Sequence, residues 1–249
     1  MKNGILIPVY RHGKACVEVV KALSVLNLPI ILVDDGNEAE TKAYLHTLAA
    51  DYAHVVLVTL ERNSGKGGAF AAGMEKAHEL GLTHVLQVDA DGQHDVTRAQ
   101  FFFERSAAHP EALICGYPEY DESVPAHRKN GRKFANTWTK IVSWEGGIID
   151  AMCGFRVYPV EATWRFTHYA VYDKRMGFDV EVLVRLMWRG VPYEFHGVHV
   201  TYPSDGISNF HVFRDNARIS FVFARLSCGM FVRIPQLVLR KLRKQRRKA

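Results

Sequence analysis

The sequence lacks the cysteine and leader patterns of secreted proteins, and it lacks long uncharged apolar runs. Its four cysteines show no CxxC spacing, so we interpret them as reduced thiols of a cytosolic protein. No run of about 20 residues is both apolar and uncharged, so no transmembrane helix is clearly indicated. The chain opens MKNGILIPVY, without the small-residue cleavage site of a signal peptide.

The sequence also lacks the glycine loops of three common nucleotide-binding families. Lys66 is followed by Gly67, where a Walker P-loop needs Ser or Thr. No GxGxxG follows the first apolar run, which counts against a dinucleotide-dependent dehydrogenase. That position reads IPVYRHG, without the GxGTR-like loop expected of a sugar nucleotidyltransferase. The glycines of 65–68 favour either an anion-binding helix N-terminus or a tight turn with close helix packing.

Acidic residues are absent after Asp215. Residues 216–249 carry 10 Lys and Arg, which leaves 22 basic against 26 acidic residues, a net charge of −4, for 1–215. A basic tail beside a mildly acidic body favours either nucleic acid or an anionic membrane as partner.

What the chain does contain is a regular alternation of apolar runs and helical patterns. The predicted strands are 5–9, 29–33, 55–60, 84–88 and 112–116, and the predicted helices of the first half are 14–26, 39–50 and 69–80. Such alternation over 249 residues predicts an α/β domain with a mostly parallel, doubly wound sheet. The loops after parallel strands meet at one edge of the sheet, where ligands usually bind.

Two aspartates end the fourth predicted strand. Asp89 and Asp91 are at i and i+2, so on an extended strand their carboxylates point the same way. Adjacent carboxylates favour Mg²⁺ or Mn²⁺, often shared with a substrate phosphate. The alternative is a turn that caps the next helix.

The other three strands also end in polar residues. Tyr10 follows the first strand, Asp34 and Asp35 the second, and Lys66 lies in the glycine loop after the third. An aromatic ring can pack on a base, carboxylates can accept from base or ribose, and Lys with a helix N-terminus can bind phosphate. Together with a metal on the diphosphate, these residues predict a nucleotide-diphosphate site.

Several segments of the chain together resemble family 2 glycosyltransferases of the GT-A fold. More narrowly, the chain is similar to the dolichol-phosphate mannose synthase-like branch, which glycosylates polyprenyl phosphates. The matching segments are IPVY at 7–10, VDDG at 33–36, NSGKGGAFAAG at 63–73, VDADGQHD at 88–95, DAMCGFR at 150–156 and FDVE at 178–181.

The resemblance and the loop positions imply a set of site residues. Metal ligands are expected at Asp89, Asp91 and Gln93. The donor nucleotide and its phosphates are expected to contact Pro8, Tyr10, Asp35, Lys66, Gly67 and Asp89.

Asp179 matches the position where the wider family often places its catalytic base. A single inverting displacement at the sugar C1 needs such a base when the acceptor is a hydroxyl. A phosphate acceptor is already an anion, in which case Asp179 or Glu181 would orient the acceptor or the metal shell. The alternative is that both are acids at a solvated helix N-terminus.

A cation-rich segment, HRKNGRKFANTWTKIVSW, precedes DAMCGFR. Arg128 and Arg132 are i, i+4 and share a face if the segment is helical. Arginine suits a phosphate clamp, so we expect these two to bind the acceptor phosphate. A solvated basic face is the alternative.

The C-terminal stretch combines aromatic residues with arginines at 218, 225, 233 and 240. Gly229 and Pro235 predict a break into two short amphipathic helices, which favour a membrane interface. Seven Lys and Arg in 240–248 favour anionic lipid. We therefore expect a catalytic domain over 1–215 and a membrane-surface tail over 216–249. The alternative is that the apolar face packs on the catalytic domain.

The sequence thus predicts a metal-dependent inverting hexosyltransferase that is peripheral on the cytoplasmic face of a membrane. Its expected donor is a GDP- or UDP-sugar, and its expected acceptor is lipid-linked, a polyprenyl phosphate. The alternatives are a hydroxyl of another glycolipid or saccharide and, with less support, a sugar nucleotidyltransferase. We expect no nucleic-acid partner, because a nucleic-acid or membrane module would leave the acidic motifs unexplained.

Overall fold

The computed structural model describes residues 1–120, 126–201 and 212–246. Side chains are described for these residues apart from 120, 126–130, 212–213 and 243–246.

A seven-stranded sheet forms the centre of the chain, in the order β3-β2-β1-β4-β6-β5-β7. Only β6 among these strands runs antiparallel to its neighbours, so the predicted mostly parallel sheet is confirmed. The strands are β1 (Asn3–Val9), β2 (Ile30–Asp34), β3 (Val55–Thr59), β4 (His84–Gln87), β5 (Leu113–Tyr120), β6 (Arg156–Pro159) and β7 (Tyr193–Val200).

Eight α-helices are described around this sheet. They are α1 (Gly13–Leu23), α2 (Ala39–Asp51), α3 (Lys66–Glu79), α4 (Ala99–Ala108), α5 (Ala126–Ser143), α6 (Val160–Tyr169), α7 (Phe178–Trp188) and α8 (Val212–Arg246). Helix α3 begins at Lys66, three residues before the predicted start at 69. Lys66 and Gly67 therefore belong to the first turn of a helix and not to a loop.

Two apolar cores lie on the two faces of the sheet. Along β1 the alternate residues Ile5 and Ile7 join the core beneath α1, α2 and α4. Leu6 joins the larger core formed with α3, α5, α6, α7 and α8. This division follows from the period-2 alternation of strand side chains, and it leaves the carboxyl edge of the sheet to hold the polar residues.

The expectation of two short C-terminal helices is wrong. Helix α8 is continuous over Val212–Arg246 and contains Pro235, although proline removes one helical hydrogen bond. Packing explains the continuity, because Leu226, Met230 and Leu237 are buried on both sides of the proline. The alternative, in which the apolar face packs on the catalytic domain, therefore holds for the face of Leu226, Met230 and Leu237. The domain boundary after residue 215 stays a prediction.

One helix bears on the expectation that no transmembrane helix is clearly indicated. The segment Arg214–Leu242 of α8 is long and apolar enough to cross a membrane, judged by length and composition alone. The same test is passed by core helices of soluble proteins, and 28% of its most apolar window is buried against the rest of the chain.

Candidate active site

Three strand ends meet at one cavity, as the alternation of strands and helices predicted. The cavity has a volume of about 310 Å³ and is lined by Tyr10 after β1, Asp35 after β2 and Lys66 after β3. Arg175 and the first turns of α8, at Arg214 and Asp215, complete the wall. The contribution of α8 was not predicted, because no local pattern places a C-terminal helix beside the first strand.

Lys66 joins two carboxylates from distant parts of the chain. Its ammonium nitrogen lies 2.9 Å from Oδ1 of Asp89 and 2.9 Å from Oδ2 of Asp179. Burial opposes the charge of Lys66, but Asp179 and Asp89 outweigh burial and raise the pKa of Lys66. Burial likewise favours neutral Asp89, but Lys66 reverses this and lowers the pKa of Asp89. Lys66 and Asp89 are therefore both charged in the structure.

The GFR segment of 154–156 positions these carboxylates. A Cβ on Gly154 would lie 2.6 Å from Oδ2 of Asp89, so only glycine lets the backbone pass this close. The fully buried Arg156 donates to the backbone oxygens of Asp179, at 2.8 Å, and Ala151, at 2.7 Å. Arg156 thus holds the start of α7 next to the 150–153 turn.

Asp91 has a different environment from Asp89. Its Oδ1 accepts a hydrogen bond from the backbone N–H of Gln93, at 3.0 Å. Burial, with the negative charge of Asp89 second, raises the pKa of Asp91. In the part of the chain that the structure describes, no Lys or Arg forms an ion pair with Asp91. A divalent cation would offset both effects.

A metal at this point would need ligands from outside the protein. Among the described residues, no three His, Cys, Asp or Glu side chains are grouped closely enough to hold a metal ion. The oxygens of Asp91 and Gln93 suit Mg²⁺ or Mn²⁺, which commonly take one or two carboxylates together with substrate phosphates. The donor set therefore fits a metal shared with a diphosphate.

The structure brings Asp179 to the site but not Glu181. Asp179 is 7% exposed, and its Oδ1 has no hydrogen-bond partner among the residues that the structure describes. Glu181 is fully buried, and both of its oxygens are occupied. It accepts from the backbone N–H of Asp173 at 2.8 Å, from Nε of Arg185 at 2.7 Å and from Arg225 of α8. Glu181 thus ties α7 to α8 and to the loop before α7.

Asp35 organises the loop between β3 and α3. Its oxygens accept from the backbone N–H groups of Ser64, at 2.6 Å, and Gly65, at 3.0 Å, and from the side chain of Asn63. Burial raises the pKa of Asp35, opposed in part by those two backbone donors. Arg175 donates to Asn63 at 2.7 Å, which links the loop before α7 to the same wall.

The first-turn amides of α3 are used within the protein. The N–H of Gly67 donates to the backbone oxygen of Lys174 at 3.0 Å. A Cβ at Gly67 would lie 2.7 Å from the ring of Phe178, so close packing accounts for this glycine. Pro8, also expected at the donor site, lies in β1 opposite Val33 and is half-buried.

Arg132 borders a second cavity, of about 270 Å³, next to the DAMCGFR segment. Its guanidinium donates to Oδ2 of Asp150 at 2.8 Å, and Lys133 and Asn136 also line this cavity. Asp150 in turn accepts from the backbone N–H groups of 152 and 153. The side chain of Arg128 lies outside the described residues.

Sequence reasoning missed an exposed apolar face on α5. Phe134, Trp138 and Ile141 are spaced at i, i+4 and i+7 and are exposed by 60%, 37% and 48%. Residues at this spacing share one face of a helix. The signal was present in the sequence, but the cation-rich composition of the segment obscured it.

Solved structures define the class of fold. Glucosyl-3-phosphoglycerate synthase from Mycobacterium tuberculosis, crystallised with Mn²⁺, uridine diphosphate and phosphoglyceric acid, is similar with a TM-score of 0.69. The two share 13% identity over 92% of this chain and 78% of that one. Staphylococcus aureus TarS is similar with a TM-score of 0.55 at 14% identity, over 81% of this chain and 60% of that one. The fold is therefore that of the GT-A glycosyltransferases.

The family is established by sequence. Residues 4–167 match Glycosyl transferase family 2, and the chain belongs to this family.

Three of its relatives bear the names of polyprenyl-phosphate glycosyltransferases, which confirms the narrower resemblance. A mouse dolichyl-phosphate beta-glucosyltransferase is 32% identical over 62% of this chain and 50% of its own length. An undecaprenyl-phosphate mannosyltransferase of Micrococcus luteus is 26% identical over 63% and 65%. A polyprenol monophosphomannose synthase of Mycolicibacterium smegmatis is 26% identical over 79% and 74%. The chain thus spans about half the length of the mouse relative and more of the two bacterial ones.

Proposed function

We propose that the protein is a metal-dependent, inverting hexosyltransferase. Its donor is a GDP- or UDP-sugar, and its acceptor is a polyprenyl phosphate at the cytoplasmic face of a membrane. The names of the relatives support the lipid phosphate acceptor.

One observation carries the proposal: charged groups on three elements meet beside a cavity of nucleotide size. Asp89 after β4, Lys66 on α3 and Asp179 on α7 lie within salt-bridge distance. Tyr10 and Asp35 line the adjoining cavity. An aromatic ring for the base, a cation for phosphate and acids for a metal are the groups that bind a nucleotide-diphosphate sugar.

Asp89, Asp91 and Gln93 would hold Mg²⁺ or Mn²⁺ together with the donor phosphates. When bound, the metal would stabilise the negative charge of the departing nucleoside diphosphate. Lys66 would help to stabilise the same charge. Asp35 already holds the 63–65 loop through hydrogen bonds. It would therefore affect nucleotide binding both by direct contact and by positioning this loop, which lines the cavity.

Arg132 and the second cavity would receive the acceptor phosphate. A phosphate oxygen is already anionic, so its attack on the sugar C1 requires a cationic clamp and no strong base. Arg132 would have to share its guanidinium between Asp150 and the phosphate, because its contact with Asp150 is already present. Lys133 and Asn136 line the same cavity.

Exposed apolar surfaces support a membrane location for the acceptor. The α5 face of Phe134, Trp138 and Ile141 is exposed, as are Phe221 and Phe231 of α8. Aromatic residues beside cations are typical of segments that lie in a membrane interface. The basic residues of 240–248 would add attraction to anionic lipid.

A donor and acceptor screen tests the proposal. Hydrolysis and transfer from UDP- and GDP-sugars are measured with Mn²⁺, Mg²⁺ or chelator, with and without a polyprenyl phosphate. We expect sugar transfer to the lipid phosphate with a divalent cation, and none with chelator. Transfer that is unaffected by chelator would contradict the metal, and transfer only to hydroxyl acceptors would contradict the phosphate acceptor.

The second candidate is transfer to a hydroxyl of a glycolipid or saccharide. The unpaired, buried Oδ1 of Asp179 favours it, because a hydroxyl acceptor needs a carboxylate to take its proton. Asp179→Asn would abolish transfer to a hydroxyl. It would impair transfer to a phosphate less, mainly through the lost pairing with Lys66.

A further inference from the structure

Away from the candidate active site, arginines from two helices converge where α7 ends against α8. A cavity of about 230 Å³ between the two helices is lined by Arg185, Trp188, Arg189, Arg233 and Gln236. None of these five residues is acidic. Three arginines and one glutamine therefore border a common space.

The positive charge of this cavity is only partly balanced. Arg185 is paired with Glu181, which Arg225 also contacts. In the described part of the chain, neither Arg189 nor Arg233 forms an ion pair with a carboxylate. Partial burial, with the charges of Arg185 and Arg233 after it, lowers the pKa of Arg189. An anion in the cavity would relieve this repulsion.

Ring contacts fix the guanidinium groups in place. The guanidinium of Arg233 lies 4.8 Å from the ring centroid of Trp188 and donates to the backbone oxygen of Gly229 at 2.9 Å. Trp188 itself is buried, and its indole N–H donates to the backbone oxygen of Val142. The guanidinium of Arg189 lies 5.4 Å from the ring centroid of Phe166. Pre-positioned guanidinium groups lose little freedom when they bind an anion.

Helix geometry alone does not account for the cluster. Cations are favourable at the C-terminus of a helix, which explains Arg185 and Arg189 at the end of α7. It does not explain Arg233, which α8 contributes.

We propose that this cleft between α7 and α8 binds a phosphate group, supplied by the headgroup of an anionic lipid. Guanidinium groups match phosphate oxygens with paired N–H donors, and the amide of Gln236 adds a further donor. The proposal concerns a site apart from sugar transfer and does not depend on the transferase reaction.

The placement of the arginines on α8 favours a lipid as the source of the phosphate. At about 100° per residue, Arg225, Arg233 and Gln236 fall on one flank of α8, beside the buried face. The exposed apolar residues Val232 and Leu239 fall on the adjoining face. When an apolar face lies in a membrane, cations on its flank reach the level of the lipid phosphates.

The test compares a cleft variant with a charge-matched control in the full-length protein. The cleft variant combines Arg189→Gln with Arg233→Gln. The control combines Lys2→Gln with Lys21→Gln of α1, both exposed and outside the cleft. Binding is measured by co-sedimentation with phosphatidylcholine vesicles, with and without phosphatidic acid, and by calorimetry with inorganic phosphate.

We expect the cleft variant to lose about tenfold or more of its affinity for phosphatidic acid vesicles, relative to the control, because two charged hydrogen-bond donors are removed. Binding to inorganic phosphate should fall with it. Loss of phosphate binding with unchanged vesicle binding would overturn the lipid source and assign free phosphate. Equal behaviour of cleft variant and control in both assays would overturn the site.

Circular dichroism melting shows whether the cleft variant is folded. If removal of the Arg233 contact with Trp188 lowers its melting temperature, Arg189→Gln alone is compared with Lys21→Gln. Arg189 is exposed, and its ring contact is with Phe166. This single variant therefore keeps the fold, and the outcomes stated above support or overturn the site in the same way.

Discussion

The ammonium of Lys66 lies 2.9 Å from the carboxylate of Asp89. The first acid of the metal motif is therefore already neutralised by a lysine from α3, while Asp91, two residues on, has no such partner among the described residues. The two acids of one short motif thus have different electrostatic roles, and this difference leads to the first two predictions.

Asp91→Asn should weaken nucleoside-diphosphate binding in the presence of Mn²⁺ by about tenfold or more, because the acid without a lysine partner is the one free to share a cation. Calorimetry with GDP and UDP, with and without chelator, measures this. Asp95→Asn is the control, because Asp95 caps the turn at 96–98 and asparagine is also a good cap. Equal binding by wild type, Asp91→Asn and the chelated protein would contradict a metal at this site.

Lys66→Met should strengthen the binding of Mn²⁺ in the absence of nucleotide. Removal of the ammonium leaves Asp89 and Asp179 as an unbalanced acidic pair, which destabilises the fold by about 3–5 kcal/mol and attracts a cation. Thermal melting with and without Mn²⁺ should show a larger rise for the variant than for wild type. Lys76→Met, which removes an exposed lysine paired with Glu79 on the same helix, should leave the Mn²⁺ effect unchanged. A smaller rise in Lys66→Met than in wild type would show that Lys66 does not compete with the metal.

Arg132→Ala should raise the apparent KM for the acceptor and leave donor hydrolysis nearly intact, because Arg132 lines the second cavity and not the cavity of Tyr10, Asp35 and Lys66 that we propose for the donor. Asp150→Asn provides the comparison. It breaks the pairing with Arg132 but keeps the cation for a phosphate. If both variants impair donor hydrolysis equally, the pair serves to hold the 150–153 turn and not to bind the acceptor.

Glu181→Ala should lower the free energy of unfolding by about 3–5 kcal/mol, because it leaves buried donors from Arg185 and Arg225 without their carboxylate. For a chain of this size the melting temperature should fall by about 10 °C. Glu161→Ala is the control, because its ion pair with Arg165 is exposed and exposed pairs contribute less than about 1 kcal/mol. A Glu181 variant that melts like wild type but is inactive would restore a catalytic role for this residue.

Truncation after Leu242, which removes the basic residues of 243–248, should weaken binding to anionic vesicles at low salt more than binding to neutral vesicles. Each basic residue near such a surface contributes about 1 kcal/mol, screened by salt. The truncation is made after Leu242 and not after Leu239 so that Arg240 is kept. Arg240 donates to Glu145 at 2.8 Å and also contacts the backbone of Met187. Nucleotide binding should survive. Equal co-sedimentation of truncated and full-length protein would show that the tail is not the anchor.

The local parts of the site could be predicted from the sequence. Asp89 and Asp91 stand at the end of a strand whose apolar run is visible, and Tyr10 and Asp35 follow strands of the same kind. Parallel strands bring their carboxyl ends to one edge, so these residues had to be neighbours once the alternation was recognised.

Other residues could not be assigned without the structure. Asp179 and Glu181 are two residues apart and both lie in the first turn of α7. Asp179 nevertheless contacts Lys66, whereas Glu181 contacts Arg225 of α8. Two helical residues that are two positions apart point in nearly opposite directions. The packing of α7 determines which of the two side chains faces the site. For the same reason the continuity of α8 through Pro235 followed from burial of its apolar face and not from propensity.

The sequence by itself determined the α/β architecture, the family and the edge of the sheet that carries the acidic pair, because those follow from periodicity and from contiguous motifs. Only the tertiary structure decided that Lys66 joins Asp89 to Asp179, that Glu181 serves packing, and that α8 lines the cavity at the strand ends. Each of these contacts joins residues dozens to nearly two hundred positions apart. Their geometry is set by the packing of helices on the sheet, which no local pattern encodes.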